Sequence, residues 1–139
     1  FTRLSHAATL LANGKVLIAG GRGGGHGLKS AEIFDPLTNT LSVAAQMNYI
    51  HTEYSAQLIT LSDGVTQKVL VAGTCSGPGA DYNKAELYDY VNNSWSITSS
   101  LNVGRCRYGE TLLNDGTVLI VGGEIYPSGY TKSTEYYTP

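Results

Sequence analysis

The sequence predicts an all-β chain built from repeated four-stranded antiparallel units. Three observations carry this. The first is composition: 17 of 139 residues are Gly and 10 are Tyr, while Met, Trp and Phe are scarce, a mix that suits short strands and turns better than long helices. The second is periodicity, since no window of 11 residues shows the apolar spacing of a long amphipathic helix. The third is internal repetition, which decides the architecture. RLSHAATLLANGKVLIAGG begins at Arg3 and RCRYGETLLNDGTVLIVGG at Arg105, with HTEYSAQLITLSDGVTQKVLVAGT from His51 as a looser copy between them. Each is followed by a loop and a second block, KSAEIFDP from Lys29, KAELYDY from Lys84 and KSTEYYTP from Lys132. Gly20, Gly73 and Gly122 are equivalent, 53 and 49 residues apart. Glu32, Glu86 and Glu135 are equivalent at 54 and 49.

Within each unit the strands follow in order. Strand a precedes the dipeptides Asn13-Gly14, Asp63-Gly64 and Asp115-Gly116, which read as two-residue hairpin turns. In the first unit it covers 6–11. Strand b follows the turn, at 15–19, 68–72 and 117–121, and is almost wholly apolar, which predicts burial of both its faces. Strand c is expected at 30–34, 85–88 and 133–137. A polar turn leads to strand d at 40–43 and 94–97. Four antiparallel strands per ~50 residues describe one blade of a β-propeller. The blades are expected at about 3–47, 51–101 and 105–139, the third without its last strand.

Here the chain resembles the kelch family. The features that carry the resemblance are the pairs Gly20-Gly21 and Gly122-Gly123, the Glu-x-Tyr/Phe blocks at Glu32, Glu86 and Glu135, and Trp95, six residues past Asp89. Thr74 in place of a second Gly, and Leu41 in place of a Trp, depart from the pattern. The resemblance implies a partial propeller of about 2.75 blades. A propeller closes with about four to eight blades, so the remaining blades are expected from a longer chain or from a second copy. Blade 1 also resembles the kelch arrays of secreted and cell-surface proteins, which implies an extracellular or cell-surface setting.

Net charge is −2 and charged residues are 14%, against roughly 25% in an ordinary domain. Neither a nucleic-acid partner nor a membrane span of ~20 apolar residues is expected. Glu32, Glu86 and Glu135 recur once per blade, as a structural device does and a catalytic acid does not. Arg3 and Arg105 also recur, before strand a, and are expected to pair with these glutamates. Trp95 belongs to the same structural set. The run Arg22-Gly23-Gly24-Gly25-His26-Gly27 lacks the Gly-Lys-Ser/Thr ending of a phosphate loop and precedes a strand. It reads as a flexible loop with left-handed positions.

His6, His26 and His51 are the only histidines, and no metal site, cofactor or catalytic residue is assigned from them. His6 stands where Tyr54 and Tyr108 stand, which marks a packing position. Kelch propellers also occur in copper-radical oxidases of the galactose and glyoxal oxidase type. That likeness implies an alternative reading as the propeller domain of a carbohydrate-active enzyme. Cys75 follows strand b and Cys106 precedes strand a of the next blade, so both lie on one face. A disulfide is possible there if the Cα atoms come within about 7 Å, and two free thiols are the other reading. Asn92-Asn93-Ser94 is an N-glycosylation sequon on a c–d turn.

Function in such a fold is carried by loops on a rigid scaffold. The b–c loops, at 22–28, 76–83 and 124–131, vary most between repeats. With the d–a connections they predict a recognition face that includes Arg22, His26, His51, Asp81, Tyr82, Tyr126 and Tyr130. The expected role is a non-catalytic scaffold for a protein or glycan partner.

Overall fold

The computed structural model describes residues 1–75, 81–127 and 129–139. Its strands are β1 Ala7–Leu10, β2 Val16–Ala19, β3 Arg22–Gly23, β4 His26–Gly27, β5 Ala31–Asp35, β6 Thr40–Val43, β7 Ala56–Thr60, β8 Gln67–Ala72, β9 Ala85–Asp89, β10 Ser94–Ile97, β11 Gly109–Leu112, β12 Val118–Val121 and β13 Thr134–Tyr137. They form sheets β1-β2-β5-β6, β7-β8-β9-β10 and β11-β12-β13. Every pairing is antiparallel and joins consecutive strands, except β2 with β5, between which the separate β3-β4 pair intervenes in sequence. These are two four-stranded blades and a three-stranded third, so the chain is an arc of a β-propeller. The first strands β1, β7 and β11 lie side by side on the inner edge.

Alternation along β8 explains the packing. Val69 and Val71 face the blade 1 side, with Leu17, Ala19 and Met47. Leu70 and Ala72 face the blade 3 side, with Val118, Ile120 and Leu101. All four β8 residues are buried, as an apolar strand flanked on both faces should be. The expectation of two buried faces fails for β12. Val118 and Ile120 are buried against blade 2, but Val121 on the other face is 42% exposed. The same apolar pattern thus serves one covered face there and two in blade 2.

Two turn expectations also change. In blades 1 and 3 the Asn-Gly and Asp-Gly pairs do not form two-residue turns. Gly14 N donates to Leu11 O at 2.9 Å and Leu11 N to Lys15 O at 2.8 Å, and only the glycine has positive φ, 79° at Gly14 and 86° at Gly116. The loop has three residues, with glycine as a left-handed bulge at its end. The preceding polar residue caps it, Asn13 Oδ1 accepting from Lys15 N at 3.1 Å and Asp115 Oδ1 from Thr117 N at 3.0 Å. The primed two-residue turn instead occurs in the glycine-rich segment expected to be a flexible loop. Gly24 and Gly25, at φ 58° and 83°, join β3 to β4 as a hairpin, because that turn needs positive φ at both central residues.

The recurring charges form one latch per blade. Glu86 in β9 is fully buried. It accepts hydrogen bonds from Asn48 N (2.8 Å), Asn48 Nδ2 (2.7 Å), Tyr49 N (2.7 Å) and His51 Nε2 (3.2 Å). Glu135 repeats this with Asn102 N (2.6 Å), Asn102 Nδ2 (3.0 Å), Val103 N (3.0 Å) and Arg105 Nη2 (2.6 Å). In blade 1, Arg3 Nη2 meets Glu32 at 2.9 Å. The same side chain also reaches a glycine carbonyl: Arg3 Nη1 to Gly20 O at 2.7 Å, His51 Nδ1 to Gly73 O at 2.8 Å, Arg105 Nη1 to Gly122 O at 2.8 Å. His51 thus meets the same carbonyl and carboxylate positions that the arginines meet in the other two blades.

Other side chains bind one blade to the next. Tyr54 OH donates to Ala19 O at 2.7 Å, and Tyr108 OH to Ala72 O at 2.6 Å. Trp95 Nε1 donates to Ala45 O at 2.9 Å and packs on Tyr88. A Cβ on Gly20 would come within 2.5 Å of His51 O, so the close approach of the next blade and a φ of 59° both require glycine.

Two predictions follow the latch. His51→Ala leaves a buried carboxylate short of a partner, and should cost about 3 kcal/mol in urea-unfolding stability; a loss under 1 kcal/mol would contradict the latch. The second concerns acid. Burial pushes Glu86 and Glu135 up, but the donors from His51 and Asn48 to Glu86, and from Asn102 and Val103 to Glu135, outweigh it and hold both below the ordinary 4.5. A depressed folded value gives stability that is present above the unfolded value and is lost as pH falls through the folded one. Unfolding midpoints should therefore fall below about pH 4.5, and Glu86→Gln, already weaker at pH 7, should show a flatter acid limb.

Candidate functional site

The b–c and d–a connections emerge on one face, because successive strands alternate direction. That face is pinned at the seam between blades 2 and 3. Cys75, just after β8, and Cys106, before β11, are joined as a disulfide with Cα atoms 5.6 Å apart. Cys106 is buried. The bridge forms part of the floor of a cleft of about 270 Å³, whose walls include Arg22, Glu53, Arg107, Glu124, Tyr82 and Tyr126.

The charged walls are ordered by one another. Arg107 bonds Glu53 through Nε and Glu124 through Nη1, the latter at 2.6 Å, and Arg22 stands 3.8 Å from Glu53. Glu53 and Arg107 share a backbone feature with Ser5. All three are non-glycine residues at positive φ, 57°, 50° and 53°. They lie two positions after His51, Arg105 and Arg3 of the latches. Glu53 N donates to Ser5 O at 3.1 Å and Arg107 N to Glu53 O at 2.8 Å, a ladder that runs from blade to blade. The left-handed turn aims successive side chains at the inner rim, and its strain of order 1 kcal/mol per residue is held by these bonds.

Tyr82 and Tyr126 stack face to face, ring centroids 4.8 Å apart and planes within 10°. Burial and the neighbouring Tyr126 push the Tyr82 phenol up, so it remains a hydrogen-bond donor at neutral pH. On the far side of the pair lies a second, wider cleft of about 480 Å³, lined among others by Asp81, Lys84, Asn102 and Gly104. Both clefts share Tyr82, Tyr126 and Ile125. The surface thus offers two aromatic plates between an ion-pair cluster and a polar hollow.

The expected recognition residues fall into three groups. Arg22, Tyr82 and Tyr126 line the first cleft, and Asp81, Tyr82 and Tyr126 the second. His26 in β4 and Tyr130, 88% exposed, lie on the same connections but line neither cleft. His51 is a correction: it has no exposed surface and is bonded through both ring nitrogens. Its place in the latch removes it from any recognition surface. Part of the second b–c loop, 76–80, lies outside the described residues. Among the described residues, the Sγ atoms of Cys75 and Cys106 and a Glu124 carboxylate oxygen lie within 4.8 Å of one another, but the bonded sulfurs offer no thiolate.

Glu53, Arg107 and Glu124 were not singled out in the sequence, yet they hold the cleft charges. Their signal was positional. Glu53 and Arg107 are 54 residues apart, the period of the glutamates, and Glu124 follows Gly122-Gly123 as Arg22 follows Gly20-Gly21. Asn48 and Asn102 were missed similarly, and are also 54 apart.

The disulfide makes a prediction of its own. It closes a separation of 31 residues, for which loop-closure entropy gives about 3–4 kcal/mol. Reduction by a dithiol, or Cys75→Ala with Cys106→Ala, should lower the urea midpoint accordingly; an unchanged midpoint would mean that the seam holds without it.

Comparison with known proteins agrees with this architecture. The profile described as the Kelch motif matches residues 3–48. Kelch-like protein 15 of Danio rerio is 26% identical over 152 residues, covering 99% of this chain and 25% of that protein. Kelch-like protein 15 of Homo sapiens is 26% identical over 157 residues, with the same coverage. The chain therefore spans about a quarter of the length of the curated relatives it matches. The repeat, the blade topology and this match together make the chain similar to kelch-repeat proteins, with the motif itself matched over residues 3–48.

Proposed function

We propose that this chain is a non-catalytic scaffold that binds a protein partner through its b–c and d–a loop face. The observation that carries the reading is the stacked Tyr82–Tyr126 pair, set between two clefts and beside the Arg22–Glu53–Arg107–Glu124 cluster. Stacked tyrosines give rigid contact area at low entropic cost, with polar tips for hydrogen bonds. The paired charges are partly exposed, Arg107 by 58% and Glu124 by 35% of the side chain, and can exchange partners with a polypeptide. The likeness to Kelch-like proteins supports a repeat scaffold. The copper-radical alternative draws no support from His51, whose nitrogens are both engaged.

A photo-cross-linking residue at position 126 of the full-length protein tests this in an extract of its own cells. Polypeptide adducts are expected, falling on the order of tenfold or more with Tyr82→Ala or Arg107→Ala. The same probe at Leu37, 95% exposed on a c–d turn, should give none. Adducts from Leu37 alone, or equal from both positions, would overturn the loop face. Capture of glycans without any polypeptide would overturn the protein partner.

A further inference from the structure

The c–d turn of blade 2 carries a motif that neither the latch nor the clefts use. Asn92-Asn93-Ser94 has the acceptor pattern for N-linked oligosaccharide. The fold treats its two asparagines differently. Asn93 sits at φ 49°, and its Oδ1 accepts from Tyr88 OH at 2.8 Å and from Ala45 N at 2.9 Å. Blade 1 has Asn39 in the same place, at φ 53°. Asn93 is thus part of the scaffold. Asn92 stands where blade 1 has Thr38, so the turn itself does not demand asparagine there. It is exposed, and its Nδ2 donates to Asp89 Oδ2 at 3.0 Å on the surface. Ser94, the third residue of the motif, is exposed at the start of β10.

Two further observations point the same way. The Cys75–Cys106 bridge requires an oxidising compartment to form and persist, and the secretory route that supplies one also supplies oligosaccharide donors. The turn also feeds β10, the outer strand of its sheet, beside exposed Val91 and Ile97. An unpaired apolar edge is an aggregation hazard that a bulky polar group blunts. We propose that Asn92 is an N-glycosylation site and that this protein passes through an oxidising secretory compartment. In the transfer, Asn92 Nδ2 forms a bond to the anomeric carbon of a lipid-pyrophosphate-linked oligosaccharide. The anomeric carbon–oxygen bond breaks, the lipid pyrophosphate leaves with the electron pair, and Nδ2 gives up one proton. The c–d turns lie on the face opposite the Tyr82–Tyr126 clefts, so the glycan leaves those clefts open.

Peptide mass spectrometry on the protein isolated from its own organism decides this without depending on any variant's folding. After reduction and trypsin, the 85–105 peptide should be missing at its bare mass. Treatment with a peptide N-glycosidase should reveal it with Asn92 converted to Asp, about 1 Da heavier. A dominant bare peptide with Asn92 intact would overturn the proposal. In protein secreted from a eukaryotic host, Asn92→Gln and Ser94→Ala should each abolish the glycan mass. Ser94→Ala leaves every asparagine contact in place, so a glycan surviving it would place the sugar elsewhere and sink the assignment.

Discussion

Each blade depends on one carboxylate, buried in blades 1 and 2 and half-buried in blade 3, reaching from strand c to the connection that enters its own strand a. An ionised carboxylate removed from water is costly unless its lone pairs are filled. Glu86 fills them with two backbone amides, one side-chain amide and one imidazole N–H. That demand fixes residues 48–51 in a single path. The chain beyond them then has little freedom, and the rim residue Glu53 follows from where His51 is held. The same logic places Arg107 after Arg105. The candidate recognition surface is thus set by a structural latch, and one latch donor, Asn102, also lines the second cleft.

The two seams between blades are closed by related means with one substitution. Between blades 1 and 2, Gly21 N donates to His51 O at 2.8 Å, and Gly20 lets the backbones meet. Blade 2 carries Thr74 in place of the second glycine, and Cys75 follows it. Thr52 N donates to the Thr74 hydroxyl at 3.1 Å, and Cys75 is covalently tied to Cys106. A departure from the family pattern at one position therefore coincides with a covalent staple at the next. The staple lies under the cleft, so the seam that bears the candidate site is also the one closed by a covalent bond.

Much of this was legible in the sequence wherever residue identity repeats. The glutamates, arginines and apolar strand-b runs recur because the same burial problem recurs, and their period located the blades. What repeats in position but not in identity was hidden. Ser5, Glu53 and Arg107 share one left-handed backbone state, yet serine, glutamate and arginine have nothing in common as letters. His51 stands where Arg3 and Arg105 stand, a position that reads as a loop or an ion-pair residue, and only its place on the recognition face fails, because both its nitrogens are engaged. The turns failed on a finer point. Asn-Gly suits a two-residue hairpin and also a three-residue loop ending in a glycine bulge, and local sequence does not separate them.

The rim joins stability to recognition through strain. A non-glycine residue in the left-handed region persists only where its surroundings over-determine it. Here three such residues follow one another around the inner edge, tied by amide-to-carbonyl bonds from Ser5 to Glu53 to Arg107. The latch residues Arg3, His51 and Arg105 stand two positions earlier in each case. Because the backbone is over-determined, the side chain at this position is free to vary without loss of the blade. A serine, an acid and a base can therefore occupy equivalent places and give each blade a different chemical face toward the same opening. Variation confined to such positions lets a repeated fold present a surface that does not itself repeat.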